Sequence, residues 1–190
     1  MNLCKTKTLE TNRCILRRLT LDDAQAMFDN WASDPQVTKY LTWTPHASVQ
    51  DTKKLLEIWL PEYETDSVFR WVIFHKEFNH IVGMIDVVEM NVKDECATIG
   101  YVLAQKAWNQ GIMSEVFKEV IRFLFEEVNL HRIEATFIRP NIGSGKVMEK
   151  CGLSYEGTKK QKFKTHTGTF EDLLLYGIVK EDYKRQLKEQ

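Results

Sequence analysis

A turn containing one glycine, between a strand-like segment and a long amphipathic segment, is the first place where this sequence could do chemistry. Residues 98–103 read Thr-Ile-Gly-Tyr-Val-Leu, and Gly111 precedes apolar residues at helical spacing. The first N–H groups of a helix lack internal partners and carry partial positive charge, so they stabilise an anion, above all a phosphate. Because many strand–helix turns contain a glycine, a phosphate site here requires a second feature that converges on the turn.

A second helix start follows the next predicted strand. Residues 131–138 alternate apolar and polar side chains, and Asn141 precedes a short predicted helix that it can cap and that ends at Gly152. A strand, helix and strand of this length usually form a right-handed parallel crossover. The two parallel strands would splay at their carboxyl ends and place both helix starts around one crevice, where ligands of α/β sheets bind.

Other patterns that could carry chemistry are absent or incomplete. Residues 143–146 read Gly-Ser-Gly-Lys, but Pro140 and Val147 stand where a P-loop needs Gly and Ser or Thr. No GxGxxG occurs, and the five histidines have no metal-ligand spacing, so no metal is expected. Glu134, alone on its strand, is interpreted as a sheet-paired carboxylate rather than a base.

Composition limits the class of protein. The 190 residues, 43% of them hydrophobic, suit one domain spanning 1–190. The net charge of −1 argues against nucleic-acid binding through a general basic surface. The four cysteines show no CxxC spacing, and neither a signal peptide nor an apolar run of bilayer length is visible. We therefore expect a cytoplasmic protein without disulfides or a membrane partner.

The predicted elements place these motifs in a mixed α/β domain. A strand over 13–19 precedes a helix with Thr20 as N-cap, and Ser48 opens a second helix. Three strands joined by short turns over 69–103 predict an antiparallel meander. After the long helix, two strands and a polar tail over 181–190, expected to be helical, complete the chain.

Two motifs in this order resemble the GNAT superfamily of acyl-CoA-dependent N-acetyltransferases, and most of all its RimJ/RimL-like branch, which includes acetyltransferases of ribosomal protein N-termini. The first reads Ile-Gly-Tyr at 99–101 and then Trp-Asn-Gln-Gly-Ile-Met-Ser-Glu at 108–115. The second is Asn141 with Ser144, followed by Glu-Lys-Cys-Gly-Leu at 149–153. The resemblance covers about 13–183, and it implies a mixed, mostly antiparallel, roughly seven-stranded twisted sheet with about four helices, holding acyl-CoA between two splayed parallel strands.

The resemblance also implies roles for individual residues. Backbone groups of Tyr101, Val102 and Leu103 would pair with the pantetheine arm of acetyl-CoA, as an added strand would. The turn would bind the pyrophosphate, and Asn141 and Ser144 would face the pantetheine and thioester. The residues expected in the turn are Asn109, Gln110, Gly111, Ile112, Met113 and Ser114. Lys146 would lie near a CoA phosphate, and Ser144 is the candidate acid for the departing thiolate.

Four positions depart from the family pattern. Asn109 replaces a turn glycine and tolerates left-handed backbone, whereas Met113 replaces an alanine and adds bulk where the phosphates approach. Met148 stands where many members have a tyrosine acid, and Thr98 where branch members often have a glutamate. The general base is therefore unassigned.

These observations lead to the hypothesis of direct acetyl transfer from acetyl-CoA to a primary amine, with protein or peptide N-terminal α-amines among the acceptors. Small-molecule amines stay open, as does the choice between monomer and homodimer. The two N-terminal helices and the loop 40–46 would shape the acceptor side. The aromatic residues expected there are Trp43, Trp59 and Phe163. One alternative is an acyl-CoA-binding module with little catalysis. A weaker one is nucleic-acid binding through Lys146 and the lysines at 159–164.

Overall fold

The computed structural model describes residues 1–166 and 168–189, which form one mixed sheet of eight strands. The order across the sheet is β1-β2-β3-β4-β5-β6-β8-β7, and only β5 and β6 are parallel neighbours. The strands are β1 (Leu9–Glu10), β2 (Cys14–Arg17), β3 (Arg70–His75), β4 (His80–Asn91), β5 (Cys96–Leu103), β6 (Arg132–Ile138), β7 (Ser154–Lys164) and β8 (Phe170–Val179). The predicted mixed, mostly antiparallel sheet is confirmed.

Six α-helices flank this sheet in the described ranges. They are α1 (Asp23–Met27), α2 (Pro35–Thr38), α3 (Val49–Glu62), α4 (Ile112–Glu126), α5 (Ile142–Lys150) and α6 (Lys180–Lys188). A π-helical turn, Phe28–Ala32, continues α1, and a 3₁₀ turn, Gln105–Ala107, precedes the turn at Gly111. The predicted tail helix is present as α6, although Gln190 lies outside the described residues.

The structure has eight strands and, in the described ranges, six α-helices, against the roughly seven strands and about four helices expected. The tail helix was already predicted from the local pattern. The elements that this pattern did not predict are strand β1, with two residues, and helix α2, with four. Elements this short span only about one period of hydrophobicity, so no repeating pattern in the sequence reveals them. Pairing with the neighbouring strand β2 defines β1, whose Leu9 lies opposite Leu16.

The predicted helix N-cap is confirmed at Ser48, whereas the caps predicted at Thr20 and Asn141 differ from the structure. Ser48 forms the expected capping box with Asp51. Thr20 is not an N-cap, because α1 begins at Asp23, whose carboxylate accepts from the Thr20 N–H at 2.8 Å. Asn141 occupies the N-cap position of α5, but its side chain makes no capping hydrogen bond.

Two hydrophobic cores form on opposite faces of the sheet. The larger core contains one face of α4, whose buried residues recur at helical spacing from Ile112 to Phe125. The smaller core packs α1 and α3 against β3 and β4, around Trp31 and Leu56. Within the described ranges, every helix is too short or too polar to span a bilayer.

A wedge opens in the sheet where β5 and β6 part. Their parallel ladder stops at Ile99 opposite Ala135, although β5 continues to Leu103 and β6 to Ile138. On its other side β5 stays paired with β4 as far as Gly83 opposite Leu103. Because α4 starts shortly after β5, and α5 starts shortly after β6, both helix N-termini border the wedge, as the crossover predicted.

Candidate functional site

The wedge contains a cavity of about 550 Å³ between β5, α4 and α5. All predicted binding residues line it except Gln110. The lining residues are Gln36, Val37, Tyr40, Leu41, Tyr101, Val102, Leu103, Ala107, Trp108, Asn109, Gly111, Ile112, Met113, Ser114, Pro140, Asn141, Ile142, Gly143, Ser144, Lys146, Val147 and Lys150. The structure thus brings the two sequence motifs, about thirty residues apart along the chain, to opposite walls of one cavity.

The turn before α4 has the backbone that its sequence allows. Gly111 has a φ of 74°, in the left-handed region, where only glycine is free of strain. Asn109 has a φ of 60°, so it adopts the left-handed conformation that asparagine tolerates better than most residues. Gly111 occupies the N-cap position and has no side chain to cap the helix. The N–H groups of the first turn of α4 are therefore available to an anion in the cavity.

Arg13, directly before β2, hydrogen-bonds to this turn and to the first turn of α4. Its Nη1 donates to the carbonyl oxygen of Gln110 at 2.9 Å, and its Nε donates to Glu115 Oε2 at 2.6 Å. The Glu115 carboxylate also accepts from the Arg13 backbone N–H at 2.9 Å. Arg13 could not be predicted from the sequence, because it and its partners lie about a hundred residues apart and no local pattern joins them.

Met113 does not narrow the cavity as its size suggested. Its side chain is only 4% exposed and packs in the larger hydrophobic core with Ile112, which is fully buried. These two residues therefore face the core with their side chains while their backbone borders the cavity. The replacement of the family's alanine is accommodated by the core.

The edge of β5 offers backbone groups to the cavity. The Ala104 N–H donates to the Val82 carbonyl at 2.7 Å, so by alternation Val102 also directs its backbone groups toward β4. The N–H and C=O groups of Tyr101 and Leu103 therefore point into the wedge. One of them is occupied, because Trp108 Nε1 donates to the Leu103 carbonyl at 2.7 Å. The expectation of backbone pairing does not fit Val102, which lines the cavity with its side chain.

The opposite wall is the first part of α5. The Tyr101 hydroxyl donates to the Ser144 carbonyl at 3.0 Å and joins this wall to β5, and burial raises the pKa of that hydroxyl far above its usual range. Lys146 lines the cavity as expected. Lys150 lines it too, one helical turn further on, and the spacing of four residues could have revealed it.

The cavity is suited to an anionic ligand. Two lysines and two helix N-termini border it, and none of its lining residues within the described ranges is acidic or a histidine. Uncompensated positive charge of this kind attracts phosphate groups. The same ranges contain no group of three or more His, Cys, Asp or Glu residues placed to hold a metal ion.

We call the side of the cavity that is lined by Gln36, Val37, Tyr40 and Leu41 its mouth. The Asp34 carboxylate caps α2 by accepting from the Gln36 N–H at 2.8 Å, and Val37, Tyr40 and Leu41 reach the cavity. Of the loop 40–46, Tyr40 and Leu41 line the cavity. That this loop shapes the acceptor side stays a prediction.

Three aromatic residues named for the acceptor side do not line this cavity. Trp43 packs against His46 with ring centroids 5.5 Å apart. Trp59 lies under the guanidinium of Arg70, and Phe163 lies in β7. Aromatic character alone therefore does not identify the residues that line this cavity.

Comparison with known proteins agrees with this geometry. The family described as Acetyltransferase (GNAT) domain matches residues 13–154. The uncharacterized N-acetyltransferase YoaA of Bacillus subtilis is 31% identical over 172 residues, which cover 90% of this chain and 96% of that protein.

Solved structures extend the likeness to the whole fold. RimL, a ribosomal alpha-N-protein acetyltransferase in complex with coenzyme A, is 19% identical with a TM-score of 0.83, covering 91% of this chain and 98% of its own. Spermidine N-acetyltransferase from Vibrio cholerae, in complex with CoA and spermine, is 19% identical with a TM-score of 0.78, covering 90% and 98%. The wedge, the family match and the relative together show that this chain is an N-acetyltransferase that belongs to the GNAT family.

Proposed function

We propose that this protein transfers the acetyl group of acetyl-CoA to a primary amine by direct attack in a ternary complex, as a member of the RimJ/RimL-like branch. The observation that supports this most is the wedge between β5 and β6, which has a free strand edge on one wall and a helix N-terminus on each side. An extended, phosphate-bearing ligand matches this combination of features, because its arm can pair with the strand edge while its phosphates meet the helix starts.

The proposed placement of CoA follows the walls of the cavity. The pantetheine amides pair with the backbone of Tyr101 and Leu103, and the pyrophosphate lies against the first turn of α4 at Gly111. Lys146 and Lys150 neutralise phosphate charge from the other wall. Asn141 contributes a side chain that is not used for capping and is therefore available to the pantetheine.

Direct attack is favoured over a covalent enzyme intermediate. No cysteine is among the described residues that line the cavity. The cysteine closest in sequence to that wall, Cys151, is buried, which raises the pKa of its thiol to about 12. A thiol with this pKa is almost entirely protonated at neutral pH and is a poor nucleophile.

The chemistry at the thioester requires an oxyanion donor and an acid. The Tyr101 N–H, directed into the wedge, stabilises the negative oxygen of the tetrahedral intermediate. Ser144 donates a hydrogen bond or proton to the departing thiolate. Met148, at the position of the family's tyrosine acid, is 1% exposed and cannot take this role.

An N-terminal α-amine fits the mouth of the cavity better than a polyamine does. Val37 and Leu41 give the mouth apolar surface beside Gln36 and Tyr40, and its described lining contains no carboxylate that could hold additional ammonium groups. An α-amine has a pKa near 8, against about 10.4 for a lysine-type amine, so it loses its proton more easily. We therefore propose a peptide or protein N-terminus as the acceptor.

A catalytically weak acyl-CoA-binding module is the second candidate. It is favoured by one observation, the lack of a carboxylate or histidine among the described residues of the cavity, which leaves no base in direct contact with the thioester. Both candidates predict CoA binding, so only turnover separates them.

The test is acceptor-dependent release of CoA thiol, measured beside calorimetric titration with CoA. The acceptor panel contains peptides with free and blocked N-termini, lysine-containing blocked peptides, and polyamines. We expect micromolar CoA binding and release that depends on a free α-amine. Binding without acceptor-dependent release across the panel would favour the module, release with polyamines alone would contradict the acceptor class, and absent binding would overturn both candidates.

A further inference from the structure

The peptide unit that joins Gln110 to Gly111 lies in a turn with two left-handed residues. The φ of Asn109 is 60° and that of Gly111 is 74°. Because this peptide bond is trans, the Gln110 carbonyl and the Gly111 N–H point in opposite directions. Glycine permits φ of either sign, so this peptide plane is free to turn over unless another group fixes the carbonyl. One orientation directs a donor into the cavity, and the other directs an acceptor there.

Arg13 fixes the carbonyl of this peptide. Its Nη1 donates to the Gln110 carbonyl at 2.9 Å. Asn109 and Gly111 line the cavity, whereas Arg13 is not among the described residues that do. The carbonyl therefore points to a side chain outside the cavity, and the Gly111 N–H is turned toward the cavity. Within the described ranges, the Gly111 N–H has no protein hydrogen-bond partner, so it is free to bind a ligand.

Arg13 is itself held at both of its backbone groups. Its N–H donates to Glu115 Oε1 at 2.9 Å, and its carbonyl accepts from the Lys76 N–H at 2.9 Å. Its Nε donates to Glu115 Oε2 at 2.6 Å, so the side chain is fixed as well. The next residue, Cys14, is fully buried in the larger core. The turn is therefore anchored to a rigid point, and a ligand does not have to order it on binding.

Arg13 also balances the charge of Glu115. This carboxylate lies in the first turn of α4, where it would repel a phosphate group at the helix N-terminus. The ion pair with Arg13 is 2.6 Å long, and the Glu115 side chain is 23% exposed. Removing Arg13 therefore has two consequences, a free carbonyl at Gln110 and an unbalanced carboxylate at Glu115. The two consequences are separable, because neutralising Glu115 restores only the charge.

We propose that Arg13 is a positioning residue that holds the Gln110–Gly111 peptide with its N–H toward the CoA pyrophosphate. This inference rests on the proposed function, and it assigns no contact between Arg13 and CoA. Without Arg13, the peptide turns over in part of the molecules and places a carbonyl oxygen where the phosphate binds. The affinity for CoA then falls, whereas the transfer step at the thioester, at the other end of the pantetheine arm, is unaffected.

Arg122 is the matched control on the same helix. Its guanidinium donates to Glu119 at 2.7 Å and to Glu127 at 3.1 Å, and its side chain is 36% exposed, against 40% for Arg13. It lies about three helical turns beyond Gly111. Substitution of either arginine by Met keeps an aliphatic stem and removes the donors and the charge.

The experiment titrates CoA by calorimetry into the wild type, Arg13→Met and Arg122→Met, with urea unfolding to confirm that all three are folded. We expect Arg13→Met to bind CoA about 10- to 100-fold more weakly, the loss expected for one hydrogen bond to a charged group. Arg122→Met should stay within about threefold of the wild type, because it is remote from the turn. Steady-state rates should place the loss of Arg13→Met in the KM for acetyl-CoA, with kcat within about twofold of the wild type.

A second substitution separates the orientation of the peptide from the charge. Glu115→Gln alone should bind CoA at least as tightly as the wild type, because it removes a negative charge and leaves the Gln110 carbonyl held by Arg13. The double variant Arg13→Met/Glu115→Gln restores the charge balance but leaves the carbonyl free. It should still bind CoA at least about tenfold more weakly than the wild type. Wild-type affinity in the double variant would show that charge alone is responsible, and it would overturn the assignment.

The Gly111 N–H gives a direct readout in the unsubstituted protein. Its amide proton resonance should move downfield on addition of CoA, because a hydrogen bond to a phosphate deshields the proton. An unmoved Gly111 resonance, an Arg13→Met affinity within about threefold of the wild type, or an equal loss in Arg122→Met would each overturn the assignment. Absence of CoA binding by the wild type would contradict the proposed function itself, so the two failures are distinguishable.

Discussion

At the scale of the residue, the phosphate-binding turn depends on backbone geometry more than on side chains. Gly111 and Asn109 both have left-handed φ values, and the Gln110 side chain is directed back to the Lys106 carbonyl at 2.8 Å. The anion is therefore expected to meet N–H groups and the helix dipole. Position 111 is the most sensitive place to test this, because it combines a positive φ with the N-cap of α4.

Replacing Gly111 with Asp should abolish measurable CoA binding while the protein stays folded. A carboxylate at the N-terminus of α4 would occupy the anion site and repel the pyrophosphate. The measurement is calorimetric titration with CoA, accompanied by circular dichroism to confirm folding.

Gly111→Asn is the matched control for this charge. Asparagine is nearly isosteric with aspartate, is neutral, and tolerates the left-handed backbone, as Asn109 does two residues earlier. We expect a loss of affinity below tenfold in this variant. Equal affinities of the Asp and Asn variants would show that the pyrophosphate does not bind at this turn.

At the scale of the element, the position of α5 depends on close packing against β6. A Cβ atom at Gly145 would lie 2.5 Å from Phe137 Cζ, far inside van der Waals contact. Gly145 is buried, and Phe137 lies beneath it in the sheet. The distance between the two walls of the cavity is therefore set by a glycine that no ligand needs to touch.

Gly145→Ala should displace α5 from the sheet and widen the wedge. Overpacking of this kind costs about 1–3 kcal/mol of unfolding free energy, and the shifted Ser144 and Lys146 should weaken CoA binding. Urea unfolding and CoA titration measure the two effects.

Gly143→Ala tests whether the contact or the residue type is responsible. It lies in the same helix, where an added Cβ meets only Asn141 Oδ1 at 3.9 Å, and it should preserve stability. A Gly145→Ala variant as stable as Gly143→Ala would disprove the packing argument.

The sequence predicted the elements that follow each other along the chain and missed those that depend on pairing across it. Local spacing predicted α4 and the strand–turn–helix at Gly111, and the crossover predicted the parallel pair β5–β6. Arg13, by contrast, reaches the turn from the residue before β2, and α2 is four residues long. Neither leaves a periodic signal in the sequence.

Asp86 illustrates the same limit. It interrupts an apolar strand, but its environment depends on the register of three strands. Its burial and its contact with Arg70 both arise from that register. The spacing of residues along the chain does not reveal this burial or this contact.

At the scale of the whole molecule, the buried carboxyl of Asp86 makes the stability of the fold depend on pH. Its carboxyl has a folded-state pKa of about 6, above the ordinary value of 3.8, so the folded protein binds this proton more tightly than the unfolded chain does. The resulting stability is fully present below about pH 4 and is lost as the pH rises through 6. Ionised Asp86 therefore opposes folding at neutral pH.

Asp86→Asn should be more stable than the wild type at pH 8 and similar to it near pH 4. The pKa difference corresponds to at most about 3 kcal/mol, less whatever Arg70 loses with its charged partner. Unfolding free energies from urea titration at the two pH values measure this. A variant less stable than the wild type at pH 8 would contradict the sign of the effect.

The parting of β5 and β6 also has a consequence for solubility. Unpaired strand edges normally lie at the margins of a sheet, where they invite pairing with other chains and aggregation. Here the unpaired edge of Tyr101 and Leu103 lies in the interior of the sheet, and the two strands rejoin at Ile99 and Ala135. A second polypeptide has no path along such a closed slot, whereas a slender molecule can enter it from the open end. The molecule can thus keep backbone hydrogen-bonding capacity ready for a ligand without exposing it to its neighbours.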